Sequence, residues 1–212
     1  MGKEFNNYRY IYPPRPETVI PVSGLEGIEK RGFIAQPKLN GSCCIVFTDG
    51  KSLHVMNRDS QAISVVKMPK EEFLSLHRGK GWMVLVGEYM NKSKKDSQGK
   101  LFNHKFVIFD ILVFQGEYLT GNTFSERQSI LDVIYGWKDS SEAWLSQLSE
   151  NVYRADNITR DFELEYGLMT KFDMYEGLVM KKPSAKLEVA AKKANNTGWQ
   201  LKIRKPTKNY SR

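Results

Sequence analysis

The chain reads as an α+β protein with antiparallel sheets and flanking helices, the class expected when strand-like runs and a few separate helical patterns share one chain. Three observations predict it. Apolar runs of strand length recur at 43–47, 81–89, 105–114 and 174–182. The turn sequence Thr48-Asp49-Gly50-Lys51 joins the first of these to Leu53–Met56 as a hairpin. Helical spacing is confined to a few stretches, the clearest opening at Ser125.

At 212 residues the chain can build one substantial core, and no apolar run is long enough to span a bilayer. The first thirty residues, with Tyr8, Arg9, Pro13, Pro14 and Arg15, lack the apolar centre of a signal peptide. A cytoplasmic protein without a membrane partner is expected. Cys43 and Cys44 are adjacent in a strand-like run, where neighbouring side chains point to opposite faces and cannot readily be bridged. They read as reduced and structural, and His54, His77 and His104 as isolated surface or core residues. Charge is concentrated at one end: from Lys181 to Arg212 there are ten Lys or Arg against the single acid Glu188. Such a segment suits a polyanion such as nucleic acid.

Taken in order, residues 1–31 are rich in Tyr and Pro and read as an N-terminal arm, with one domain over 32–212. An extended stretch, Gly32 to Ala35, leads into Gln36-Pro37-Lys38-Leu39-Asn40-Gly41, which places Lys38 on a tight connection between two strands. Gly41, without a side chain, lets backbone approach a phosphate or nucleobase closely. On its own this stretch is also an ordinary Asn-Gly hairpin turn. The strand after the hairpin brings Arg58 beside the strand that follows Lys38. A short helical or irregular stretch, Pro69 to His77, precedes the buried run that ends in Gly87-Glu88.

A Ser- and Gly-containing loop with Lys92, Lys94 and Lys95 reads as mobile. In the strongest strand signal, Lys105 to Phe114, the acid Asp110 needs a partner or a task. Ser125-Glu126-Arg127-Gln128 has capping-box spacing, with Ile130, Leu131 and Ile134 as the apolar face of the helix it opens. Ser141–Leu148 is expected as a shorter helix, 151–154 as strand and Asp161–Met169 as a third helix. In the next strand Glu176 and Lys181 fall on opposite nominal faces, so a bend near Gly177 is needed for both to reach one site. Lys202 and Arg204 share one face of the last strand.

Six stretches carry the chemistry: Lys38-Leu39-Asn40-Gly41, Arg58, Gly87-Glu88, Phe109-Asp110, Glu176-Gly177-Leu178-Val179-Met180-Lys181 and Lys202-Ile203-Arg204. In this order they resemble the covalent nucleotidyltransferase superfamily of ATP-dependent polynucleotide ligases and messenger-RNA capping enzymes. The resemblance implies a ligase/capping-enzyme nucleotidyltransferase domain, ATP-grasp-like, with the nucleotide in a groove between the sheets and no OB-fold domain. It implies that Lys38 attacks the α-phosphate of ATP and holds AMP as a phosphoramidate, which then passes to a 5′-phosphate for sealing to a 3′-hydroxyl.

By the same resemblance Lys181, Lys202 and Arg204 act on the phosphates and crowd the amine of Lys38. Glu88 and Arg58 bind the ribose or phosphate region, and Phe109 stacks on adenine. Glu176 serves a magnesium or manganese ion. Gln36 stands where many DNA ligases carry a glutamate that helps read adenine. Cys43 replaces the arginine usual in DNA ligases, and Ser42 looks more like RNA ligases. The expected substrate is therefore nicked or broken RNA or DNA, RNA slightly ahead. A GTP-dependent capping guanylyltransferase and a catalytically reduced nucleic-acid-binding module are the alternatives. Only Pro206 to Arg212 follow the last motif, which implies a stand-alone catalytic domain or a partner that supplies the C-terminal module.

Overall fold

The computed structural model describes residues 3–63, 66–136, 140, 142–189 and 198–206. In chain order its elements are α1 (Lys3–Asn6), β1 (Thr18–Val19), α2 (Leu25–Lys30), β2 (Ile34–Leu39), β3 (Ser42–Thr48), β4 (Leu53–Met56), α3 (Lys70–Leu74), β5 (Met83–Met90), β6 (Lys105–Phe114), β7 (Glu117–Tyr118), α4 (Phe124–Tyr135), β8 (Leu145–Gln147), β9 (Val152–Ala155), α5 (Phe162–Met169), β10 (Tyr175–Lys181) and β11 (Gln200–Arg204). They form two sheets. The smaller runs β1-β11-β10-β2, and the larger β4-β3-β5-β6-β9-β8 with β7 on β6. Pairing is antiparallel except for β1 with β11 and β6 with β9, which are parallel.

Two apolar clusters hold the fold together. One packs Phe47, Val84, Phe106 and Ile111 of the larger sheet against Phe73 of α3 and Leu131 of α4. The other lies between the sheets: Ala35, Leu39, Leu178, Met180 and Ile203 of the smaller sheet meet Val107 and Tyr153 of the larger, closed by Leu25 and Ile28 of α2 and Phe162 of α5. Residues before 32, read as an arm, contribute here too, through Ile11 to the first cluster and Leu25 and Ile28 to the second.

The turn at Asn40-Gly41 does not close a hairpin. β2 pairs with β10 and β3 with β4 and β5, so the chain passes from one sheet to the other at this point. Lys38 stands within β2, not in the turn. Gly41 lines a cavity together with Lys38 and also packs tightly against protein: a Cβ there would lie 2.6 Å from the Tyr89 carbonyl oxygen and 2.9 Å from Glu88 Cγ.

Three local expectations change. The capping box of α4 is Thr123 with Glu126, not Ser125 with Gln128. The frame is set by burial, because starting at Phe124 turns Phe124, Arg127, Gln128, Leu131 and Tyr135 inward at helical spacing. Of the helix expected over Ser141–Leu148, Ser141 lies outside the described residues, and the rest is a turn and β8. Its short apolar run fits a strand as well as a helix, and pairing with β9 decides. The loop carrying Lys94 is tied down: Phe102 is buried and its N–H donates to the Lys94 carbonyl over 2.7 Å, and Lys94 pairs with Asp173 at 3.2 Å. Of the basic end, residues 190–197 and 207–212 lie outside the described residues.

Candidate active site

Register in the smaller sheet builds one wall of a cavity. Gly177 of β10 lies opposite Lys38 of β2 on one side and Arg204 of β11 on the other, and Val179 likewise separates Gln36 from Lys202. Side chains opposed in this way stand on one face of the sheet, and Lys181 shares that face by period-two alternation. Glu176 enters it by a different route. The pairing slips between Tyr175 and Gly177, leaving Glu176 as the extra residue of a bulge. Gly177, at φ +149° and without a side chain, lets the β11 backbone come close, since a Cβ there would lie 2.1 Å from the Ile203 carbonyl oxygen. The Glu176 carboxylate accepts a hydrogen bond from Lys38 Nζ and lies 3.4 Å from Arg204 Nε. The bend needed near Gly177 is therefore present. Lys38 is hydrogen-bonded to this carboxylate, with Lys202 and Arg204 on the same face of the sheet.

The larger sheet supplies the facing wall. Cys43 of β3 lies opposite Glu88 of β5, Arg58 follows β4, and Phe109 is the extra residue where β6 slips against β5 between Ile108 and Asp110. Glu88 reaches back to the sheet-to-sheet connection, accepting from the Gly41 N–H at 3.0 Å. Burial pushes its carboxyl up to about 7, against the pull of Lys38 and that hydrogen bond. Burial likewise raises the Cys43 thiol to about 11, which makes it a poor nucleophile. Asp110 has its partner: the Arg127 guanidinium clasps both its oxygens, at 2.8 and 3.0 Å, with both side chains buried.

All nine residues singled out in the sequence, Gln36, Lys38, Arg58, Glu88, Phe109, Glu176, Lys181, Lys202 and Arg204, line a single cavity of about 280 Å³. At its inner end Lys181 Nζ sits 4.9 Å from the Phe109 ring centre and 4.7 Å from that of Phe124. It also donates to Gln36 Oε1 over 2.6 Å. Burial lowers the Lys181 ammonium to about 8, partly opposed by Asp110. Lys202, lowered by burial and then by Arg204 and Lys38, donates to the Pro16 carbonyl over 2.9 Å. The Pro14-Arg15-Pro16 segment thus closes one side of the cavity. Sequence reasoning passed over Arg15, although a cation fixed between prolines is a legible sign of an ordered residue.

Among the described residues no group of three or more His, Cys, Asp or Glu gathers at metal-binding spacing. The cavity offers the carboxylates Glu88 and Glu176. Of these, Glu176 suits an ion such as magnesium, which is commonly bound by one or two carboxylates together with substrate phosphates and water. A line of cations, a lysine bonded to a carboxylate, and an inner end of aromatic and amide groups together form a site shaped for a nucleotide.

Comparison with known proteins agrees with that shape. The family model described as ATP dependent DNA ligase domain matches residues 20–202. No curated protein sequence matches. Among solved structures, mycobacterial DNA ligase D complexed with ATP and MES aligns with TM-score 0.64 at 15% identity, over 93% of this chain and 62% of that one. The ligase domain of M. tuberculosis LigD aligns with TM-score 0.62 at 13% identity, over 93% and 61%. A Lig E DNA ligase aligns with TM-score 0.57 at 14% identity, over 92% and 70%. The chain spans about three fifths of the first two relatives. The sequence-based lean toward RNA finds no support in a family model of DNA ligases. Among the described residues no helix is long and apolar enough to cross a membrane. With its match running from just after β1 to Lys202 of the last motif, the chain belongs to the ATP-dependent DNA ligase domain family.

Proposed function

We propose that this chain activates ATP as a lysyl-AMP on Lys38 and passes the adenylate to the 5′-phosphate of a broken or nicked DNA strand, which is then sealed to a 3′-hydroxyl. The observation that carries this reading is the convergence of eight residues from six ordered motifs, together with Gln36, on one cavity, with Lys38 hydrogen-bonded to Glu176 at its centre. In the first step Lys38 reacts as the neutral amine, and its lone pair forms a bond to the α-phosphorus. The bond from that phosphorus to its bridging oxygen breaks and pyrophosphate leaves. The nitrogen sheds its proton to the Glu176 carboxylate that already accepts its hydrogen bond.

Lys202 and Arg204, on the same face as Lys38, stabilise charge that builds on the phosphate oxygens. Phe109 offers its ring to the base, and Lys181, beside Phe109 and Gln36 rather than at the phosphates where it was expected, faces the base edge with Gln36, while Glu88 and Arg58 hold the ribose end. Glu176, through Oε1 rather than the Oε2 that accepts from Lys38, and the phosphate oxygens would hold magnesium or manganese, which when bound would neutralise charge on the departing pyrophosphate. In the second step a 5′-phosphate oxygen displaces the Lys38 amine, which takes a proton back; a 3′-hydroxyl oxygen then bonds to the 5′-phosphorus as its bridge to AMP breaks, and the hydroxyl proton leaves with the AMP phosphate.

Incubation with ATP labelled at the α-phosphate, followed by a denaturing gel, tests the first step: label is expected on the wild-type chain and absent from Lys38→Ala. Wild-type protein that takes no label with magnesium or manganese present would end the proposal. Sealing of matched DNA and RNA nicks by the adenylated protein tests the second, with DNA expected to be sealed faster.

A further inference from the structure

Behind the cavity wall lies a closed chain of side-chain amides. Gln128, on the inward face of α4, donates from Nε2 to the Phe109 carbonyl over 3.1 Å. Its Oε1 accepts from Gln36 Nε2 at 3.2 Å and from Asn157 Nδ2 at 3.3 Å. Gln36 Nε2 also donates to Asn157 Oδ1 at 2.9 Å, and Gln36 Oε1 accepts from Lys181 Nζ at 2.6 Å. Gln36 and Gln128 are buried, and neither Gln128 nor Asn157 lines the cavity.

The polarity of this chain is fixed at both ends. A backbone carbonyl can only accept, so Phe109 forces Gln128 to turn its amide nitrogen toward β6 and its oxygen toward Gln36. A lysine ammonium can only donate, so Lys181 forces Gln36 to present its oxygen. Both hydrogens of Gln36 Nε2 are then spent on Gln128 and Asn157. The one hydrogen-bonding capacity left on the Gln36 amide is the second lone pair of Oε1, an acceptor. Beside it, Lys181 is the donor.

We infer that Gln128 and Asn157 are positioning residues for nucleobase recognition, holding the Gln36 amide so that the inner end of the cavity accepts a purine with an amine at C6 and rejects one with a carbonyl there. This rests on the base lying at the Phe109–Gln36 end of the cavity, as proposed above. A C6 amine donates to Gln36 Oε1. A C6 carbonyl at the same place sets oxygen against oxygen at Gln36 and leaves that buried acceptor without the donor it has from an amine, even where Lys181 donates to the carbonyl, and binding sites reject such a mismatch.

The test is equilibrium binding of ATP and of GTP to the full chain, measured by calorimetry, beside the labelling assay. The wild type is expected to prefer ATP. Gln128→Met keeps the side-chain volume and removes both hydrogen-bonding atoms. It is expected to cut the ATP-over-GTP preference by about tenfold, the worth of roughly one buried hydrogen bond. Asn157→Ala, at a half-buried position, frees one hydrogen of Gln36 Nε2 and should move the preference the same way, which keeps the test alive should Gln128→Met not fold.

Gln36→Glu in the Gln128→Met background is expected to restore the preference, because a carboxylate accepts on both oxygens and needs no orienting partner. A folded Gln128→Met or Asn157→Ala protein that discriminates as the wild type does would overturn the inference, as would failure of Gln36→Glu to restore it. Discriminating binding without label on Lys38 would instead count against the proposed reaction and leave the base-reading inference standing.

Discussion

Gly177→Ala should disable the site while leaving every charged residue in place. The glycine lies opposite Lys38 on one side and Arg204 on the other. A Cβ built there would fall 2.1 Å from the Ile203 carbonyl oxygen and 2.9 Å from its carbon, at a φ of +149° that side-chain-bearing residues rarely adopt. Restoring van der Waals contact requires β11 to retreat by roughly 1 Å or more. Lys202 and Arg204 travel with that strand. Backbone strain of this kind costs about 1–3 kcal/mol, which for a chain of this size corresponds to a fall in Tm of roughly 2–12 °C.

The effect on catalysis should be larger than the effect on stability. A misplacement of about 1 Å between reacting groups costs about a hundredfold in rate, and here the displaced groups are the cations set across from Lys38. The assays are urea unfolding, to establish that a folded population remains, and the single-turnover rate of lysyl-AMP formation from labelled ATP. The expected result is a folded protein with a rate down by about a hundredfold. A folded Gly177→Ala protein that adenylylates within about threefold of wild type, a difference of well under 1 kcal/mol, would refute the claim that the bulge holds Glu176, Lys38 and Arg204 in working register.

Three further outcomes follow from the same geometry. Asp110→Ala strands the buried Arg127 guanidinium without its carboxylate, and urea unfolding should show a loss of about 3–5 kcal/mol. Gly41→Ala drives a methyl group into the Tyr89 carbonyl and the Glu88 side chain. It should cost about 1–3 kcal/mol and reduce nucleotide labelling, since the connection that follows the Lys38 strand must move. Glu88 stands at about 7, above its ordinary 4.5, so the folded state binds this proton more tightly than the unfolded chain does. Stability from this site should therefore fall as pH rises from about 4.5 to about 7 and then level off, by up to about 3 kcal/mol. Glu88→Gln, whose amide oxygen can still accept from Gly41, should flatten that slope in urea titrations taken across the window.

What was legible in the sequence is what depends on nearest neighbours along a strand. Lys202 and Arg204 share a face because they are two apart, and the mismatch between Glu176 and Lys181 demanded a bend that appears as the bulge before Gly177. Asp110 inside an apolar run announced a buried partner, although nothing local named Arg127. The parts not legible depend on pairing at a distance. Asn40-Gly41 has hairpin chemistry, yet β2 finds β10 some 140 residues on, and only that choice turns the connection into a crossing between sheets. The capping box was ambiguous because Thr123-x-x-Glu126 and Ser125-x-x-Gln128 both satisfy the spacing.

That last ambiguity shows why the frame of α4 matters to chemistry and not only to folding. Had the helix begun at Ser125, Gln128 would have capped its end, with its amide spent on the backbone. Starting at Phe124 places Arg127 and Gln128 on the buried face, one against Asp110 and the other against Gln36. The same turn of helix therefore neutralises the acid beside Phe109 and orients the amide two residues before Lys38. Burial of Phe124, whose ring lies 4.7 Å from Lys181 Nζ, selects the frame, so the inner end of the cavity is set by the residue that starts α4. Phe124→Ala should accordingly disturb nucleotide binding as well as stability, with a loss of about 3–5 kcal/mol in unfolding and weakened ATP binding by calorimetry. A Phe124→Ala protein that loses stability yet binds ATP as tightly as the wild type would separate the two roles that this turn of helix is argued to join.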